Sequence, residues 1–242
     1  MLIVTKGIVL NTIKYNDNKF IIKIYTESFG LKSYITFKSK KQNYFKLFNH
    51  LSIVNIVATN NNKNDIQTLK EINLAYIPTT IPFDIRKSAL IIFIKELILN
   101  CIKEQEPNQK MFEFLNKTII NLDNTSKGLS SYHIYFMINF SYYLGFKPNN
   151  NYSENNKYFN LAEGLFTNKI PENNNYMNSS LSLIFHKILN NIENNCYPTI
   201  NILLNPLTRN ELLTTLIQYY KMHLPNIEQL NSHKILQEVL SS

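Results

Sequence analysis

At 242 residues and 28.4 kDa the chain is long enough for one large domain or two small ones, and 44% hydrophobic against 17% charged residues describes a globular polypeptide. Two cysteines, Cys101 and Cys196, exclude both a disulfide-stapled secreted module and a four-thiolate metal site. Lys and Arg outnumber Asp and Glu by 25 to 17, a net charge of +8 whose placement along the chain points to a polyanion partner.

Five stretches near the N-terminus, residues 2–10, 20–27, 31–38, 51–59 and 66–76, are rich in Ile, Val, Thr and Tyr and are separated by polar breaks, as short strands are. Gly7 falls inside the first, at a position suited to a barrel bend. Five short strands in so short a segment fit a small closed barrel, of which the OB-fold is the obvious candidate. Residues 76–82, Tyr-Ile-Pro-Thr-Thr-Ile-Pro, carry two helix-excluding prolines and read as a linker. Helical periodicity follows over 83–103, 109–122, 130–144, 180–192, 209–223 and 232–240. Gly145 after Leu144, with Pro148 beyond, marks a helix C-terminus. Thr208 and Glu211 have the spacing of a capping box ahead of Leu212. Residues 147–179 are Asn-rich and irregular, which predicts a loop-rich insert with little core of its own. The longest apolar run, 89–102, is broken by Lys95, Glu96 and Asn100, so no membrane span is expected. Nor does a basic segment precede the apolar N-terminal residues, as it would in a signal peptide. The expectation is a cytoplasmic α+β protein: an N-terminal five-stranded OB-type β-barrel over 1–80, followed by an all-helical domain over 81–242.

Placement of charge is more informative than its total. Asparagine is about 15% of the chain and only Arg86 and Arg209 are arginine, a profile that A/T-rich codons produce without selection. Residues 1–80 nevertheless hold 11 Lys against 4 acids, a net of +7, whereas residues 81–242 hold 14 basic and 13 acidic residues, a net of +1. In the third strand Lys32, Tyr34, Thr36 and Lys38 share one face and Leu31, Ser33, Ile35 and Phe37 the other; in the second, Lys23 and Tyr25 point away from Ile22 and Ile24. Ammonium groups interleaved with rings suit single-stranded nucleic acid, because lysines neutralise phosphates while bases stack on aromatic faces. The candidate contacts are Lys6, Lys14, Lys19, Lys23, Lys32, Lys38, Lys40 and Lys41 for phosphates and Tyr25 and Tyr34 for bases, with Tyr44 beside the lysines after the third strand. Packing of both tyrosines inside the barrel is the competing reading.

Catalysis lacks its usual motifs. There is no G-x-x-x-x-G-K-[ST], G-x-G-x-x-G, H-E-x-x-H or G-x-S-x-G, and the five histidines are isolated and without metal-ligand spacing. No catalytic residue, metal site or cofactor is therefore expected. A DNA-binding module, an RNA-binding OB module and a non-catalytic protein–protein adaptor remain open at this point.

The residues resemble the RecO family of bacterial recombination mediators. The likeness runs through Thr5-Lys6-Gly7-Ile8-Val9-Leu10, Lys14-Tyr15-Asn16-Asp17, Ile24-Tyr25-Thr26-Glu27 and Gly30-Leu31, then Leu144-Gly145-Phe146-Lys147-Pro148, Phe159, Glu163-Gly164 and Phe166, and ends in Arg209, Leu212-Leu213, Tyr219-Tyr220, His223-Leu224 and Leu230-Asn231-Ser232. Many members carry a four-cysteine zinc knuckle after the Gly-Phe-x-Pro stretch; here residues 147–179 contain no cysteine, so the resemblance is to the cysteine-free version of the insert. It implies an OB barrel with a helical domain, binding to single- and double-stranded DNA, annealing of complementary strands and partnership with RecR. It further implies that the helical domain receives the acidic C-terminal tail of single-stranded DNA-binding protein, so that recombinase is loaded on coated strands without nucleotide hydrolysis. For that tail Arg209, Lys221 and His223, on or beside one amphipathic helix, are the candidate cations.

Overall fold

The computed structural model describes residues 2–37, 51–61, 64–103, 106–172, 174–194, 204–224, 227 and 230–241. Strands β1 (Leu2–Asn16), β2 (Lys19–Thr26), β3 (Gly30–Phe37), β4 (Ile53–Thr59) and β5 (Ile66–Leu74) close into a barrel in the order β1-β2-β3-β5-β4. All neighbours are antiparallel except β3 and β5, and β4 returns to pair with β1. This is the OB-type barrel that the strand spacing predicts. β1 runs six residues beyond Leu10, because Asn11–Lys14 continue the ladder against β2 as a long hairpin turned at Asp17-Asn18. The barrel interior is filled by alternate residues, among them Ile3, Val9, Ile22, Ile24, Tyr34, Val54, Ile56, Leu69 and Ile72. Gly7 serves close approach: a β-carbon there would lie 2.5 Å from Ile24 Cγ2 on the paired strand.

The segment read as a linker is pinned rather than loose. The Asp123 carboxylate, fully buried, accepts from the Thr79 and Thr80 backbone N–H groups (2.8 Å each), the Ile81 N–H (2.8 Å) and the Tyr76 hydroxyl (2.7 Å). Lys87, also buried, donates to the Asp123 carbonyl and to Thr80 Oγ1, both at 2.6 Å. Asp123 lies on α2 (Gln109–Asn124), which follows α1 (Ile85–Cys101). The chain forms two compact units, Met1–Asn124 and Thr125–Ser242, so α1 and α2 group with the barrel.

The second unit contains α3 (Tyr132–Tyr143), α4 (Ser179–Asn194), α5 (Pro206–His223) and α6 (Ser232–Ser241). α3 ends as its sequence predicts: Gly145 takes φ +89°, and the N–H groups of Phe146 and Gly145 return to the carbonyls of Ser141 and Tyr142 in a Schellman closure. α5 starts one turn earlier than the Thr208–Glu211 spacing suggests. Asn205 is its N-cap, the side chain accepting from the Thr208 N–H at 2.8 Å, and Pro206 occupies the first turn.

The insert departs from expectation more strongly. Within 147–179, β6 (Tyr158–Asn160), β7 (Leu165–Thr167) and β8 (Tyr176–Met177) form a small antiparallel sheet. Phe159 and Phe166 are buried, with Phe159 edge-on to Phe185 of α4 at 4.8 Å between ring centroids. The insert thus has an aromatic core anchored on α4, built from strands too short for their alternation to show in the sequence. Among the described residues no helix is long and apolar enough to cross a membrane.

Candidate nucleic-acid interface

The pairing of β2 with β3 decides which side chains face outward. Ile22 lies opposite Tyr34 and Ile24 opposite Lys32, whereas Lys19 lies opposite Phe37, Ile21 opposite Ile35 and Lys23 opposite Ser33. Directly paired residues share a face, so β3 has the reverse phase from the one its own alternation suggests. Tyr34 is a correction: it is 0% exposed in the barrel core, where burial pushes its hydroxyl pKa up to about 12. Tyr25 is a second correction. It points outward as expected but is 2% exposed, because Phe112 of α2 covers it at 6.2 Å between centroids and its hydroxyl turns to the Asn108 carbonyl. Neither ring can stack on a base.

Beyond that covered end, the outer face of β1, β2 and β3 is partly exposed: Asn11, Ile13 and Phe37 are exposed, while Lys19, Ile21, Lys23, Ser33 and Ile35 are half-buried. Its rows are Asn11/Lys23/Ser33, Ile13/Ile21/Ile35 and Lys19/Phe37. Phe37 is 59% exposed with Lys19 Nζ 5.0 Å from its ring centroid, and Ile13 and Tyr15 in the same hairpin are 57% and 63% exposed. An ammonium held beside an open ring is a cation–π contact that presents a phosphate partner and a stacking plane together. The sequence reading missed Phe37, Tyr15 and Ile13. Their signal was the cross-strand register, since Lys19 and Lys23 fix the outer phase of β2 and the paired residues of β3 must follow.

The remaining described candidates are dispersed. Lys14 is exposed at the hairpin tip and ion-paired with Asp17 at 2.7 Å. Lys6 is exposed on β1 opposite Asn55 of β4. Lys32 is half-buried on the inward phase of β3, its Nζ donating to Asn60 Oδ1 at 3.2 Å. Lys38, Lys40, Lys41 and Tyr44 lie outside the described residues. Among the described candidates Lys19 and Lys23 share the outer face, whereas Lys14, opposite Phe20, is on the other phase of the hairpin.

The recombination protein O N-terminal model matches residues 1–77 and the recombination protein O C-terminal model residues 82–233. The DNA repair protein RecO of Azobacteroides pseudotrichonymphae is 34% identical over 99% of both chains, and that of Flavobacterium psychrophilum is 34% identical over the full length of both. The chain belongs to the RecO family.

In this RecO chain the three cations offered for a partner's tail do not form one surface. Arg209 is a correction: it is 4% exposed and its guanidinium donates to the Leu240 carbonyl at 2.7 Å, joining α5 to α6. Fully buried His133 nearby has its pKa pushed down to about 3, first by burial and then by the Arg209 charge, so it is neutral. His223 is half-buried, lies flat on Phe146 at 5.2 Å and bonds the Leu161 carbonyl, while Lys221 is exposed in the last turn of α5. A pocket of about 130 Å³ lies elsewhere, between α3 and α4, lined by Ile138, Asn139, Tyr142, Lys147, Leu189, Ile192 and Glu193. The Schellman turn at Gly145 delivers Lys147 to its rim. A zinc knuckle does not fit the insert, which lacks cysteine; among the described residues no group of three or more His, Cys, Asp and Glu could hold a metal ion.

Proposed function

We propose that the chain is a recombination mediator of DNA repair. In this reading the barrel binds single- and double-stranded DNA and anneals complementary strands; with RecR, the protein helps load recombinase on strands coated by single-stranded DNA-binding protein. The observation that carries the DNA reading is the outer β1–β2–β3 face, where Lys19 lies beside the exposed Phe37 ring and Lys23 stands two outward rows along β2, opposite Ser33. Bases of a single strand stack on Phe37, with Tyr15 as a second ring, while the Lys19 and Lys23 ammonium groups neutralise phosphates. Neutralisation lowers repulsion between two backbones, so complements can approach and anneal without nucleotide hydrolysis.

The acidic tail of the coat protein is assigned to the α3–α4 pocket. Its apolar walls, Ile138, Tyr142, Leu189 and Ile192, offer room for a single side chain rather than a larger ligand, and Lys147 supplies the cation that an acidic peptide needs.

Phe37→Ala tests the stacking role. A stacked base contributes about 1–3 kcal/mol, so affinity for an oligothymidylate should fall roughly 5- to 150-fold, read by fluorescence anisotropy. Duplex binding, which uses phosphates alone, should change by less than about twofold. An unchanged single-strand affinity would remove Phe37 from the interface.

A further inference from the structure

The rim of the α3–α4 pocket is electrically self-satisfied. Lys147 Nζ is 3.0 Å from Glu193 Oε1, with both side chains partly exposed. Among the residues lining the pocket Lys147 is the one cation and Glu193 the one anion. Glu193 is held in place from behind. Its other oxygen accepts from Asn150 Nδ2 at 3.2 Å, and Asn150 is fixed in turn by Asn190 Oδ1 at 2.7 Å and by His186 Nδ1 at 2.7 Å. Asn190 Nδ2 meets His186 Nε2 at 3.0 Å, and Tyr152 stacks on the His186 ring at 4.6 Å. These contacts are mutually consistent when His186 is neutral with its proton on Nδ1: Nδ1–H donates to Asn150 Oδ1 and Nε2 accepts from Asn190. The chain from Tyr152 through His186 and Asn150 therefore orients a carboxylate onto the cation that an acidic ligand would use.

We infer that Glu193 is a built-in competitor for that ligand, occupying Lys147 so that an acidic peptide docks only by displacing it. The inference rests on the assignment of the pocket to an acidic tail. It follows from charge complementarity at the rim. With the pair closed, a peptide carboxylate meets no net charge and gains only what its apolar end contributes in the pocket. With the pair open, it takes over the ammonium and leaves Glu193 on Asn150. The latch holds affinity down and makes engagement depend on a peptide dense enough in carboxylates to outcompete one glutamate, a discrimination against weakly acidic segments.

The test uses the full chain and a synthetic Asp-rich decapeptide ending in phenylalanine, with the Asn-for-Asp peptide as control. Glu193→Gln keeps the bond to Asn150 available and removes the competing charge. It should bind the acidic peptide about threefold to fivefold more tightly, the range expected for a partly exposed ion pair, with a steeper loss of affinity on adding salt. Lys147→Gln in the Glu193→Gln background should abolish that gain, and the control peptide should bind all three proteins alike. Equal affinity and equal salt dependence of wild type and Glu193→Gln would overturn the latch and leave the pocket assignment standing. Failure of the acidic peptide to bind wild type and both variants would overturn the pocket assignment, and the latch with it. Matching thermal melts for wild type and Glu193→Gln ensure that the comparison is between folded proteins.

Discussion

Replacing Asp123 with alanine is expected to cost about 3–5 kcal/mol of stability, enough to unfold much of a marginally stable domain at 37 °C. The substitution strands three backbone N–H groups and the Tyr76 hydroxyl around a buried site, and removes the acceptor of the Thr79 and Thr80 hydroxyls. Asp123→Asn, the milder variant, keeps one acceptor oxygen but loses the charge and should cost about 2–3 kcal/mol. Burial alone would raise the Asp123 carboxyl, but the N–H groups of Thr79, Ile81 and Thr80 with the Tyr76 hydroxyl outweigh it and hold the carboxyl well below the usual carboxylate range. Because the folded-state pKa lies below the unfolded value of about 3.9, the ionised form stabilises the fold above about pH 4 and its contribution is lost as pH falls further. Urea unfolding at pH 7, 5 and 3 should therefore show the gap between wild type and Asp123→Asn constant down to about pH 5 and narrower at pH 3. A gap that stays constant to pH 3 would mean that the carboxylate is not what pins residues 76–81.

Reversing two charges on the outer barrel face should have the largest effect on binding. Lys19→Glu with Lys23→Glu removes the two cations proposed to neutralise phosphates and adds two repulsions. The slope of log affinity against log salt should become shallower by about 1.4–1.8, at 0.7–0.9 for each phosphate no longer neutralised, and affinity at low salt should fall on the order of 10- to 100-fold. The counterpart is Lys32→Glu, at a site on the inward phase of β3 where the ammonium is already engaged with Asn60. It should leave the slope unchanged. The reverse pattern, with Lys32 sensitive and the Lys19/Lys23 pair silent, would move the interface to another part of the barrel.

The architecture is legible in the sequence where periodicity is long or punctuated. Six helices stand where three- and four-residue apolar spacing places them, and Gly145 ends α3 through the closure its position suggests. What stays hidden is what depends on a partner distant in sequence. Alternation in β3 permits two phases, and nothing within residues 30–37 chooses between them; the choice is made by Ile22 facing Tyr34. That pairing seats Tyr34 in the barrel core and leaves Ile35 and Phe37, the more apolar set, on the outer face. Tyr25 lies on the face its alternation predicts, yet whether that face is open depends on Phe112, far along the chain on α2. Asp123 gives no sequence signal because its partners, three backbone N–H groups and three hydroxyls, all lie more than forty residues upstream. For α5 two capping signals compete within a few residues, and Asn205-Pro206 prevails because the proline sets the helical φ of the first turn.

The central claim, that bases stack on the outer face of β2 and β3 at Phe37, has a direct optical test. The chain contains no tryptophan, so Phe37→Trp creates a single indole, excited selectively at wavelengths the tyrosines do not absorb, at the 59%-exposed position beside Lys19. Titration with an oligothymidylate should quench that emission in a saturable curve that overlays the binding isotherm measured by anisotropy of labelled DNA, and added salt should reverse both together. Binding by anisotropy with the tryptophan emission unmoved would contradict it, and would place the nucleic acid on a surface other than β1–β2–β3.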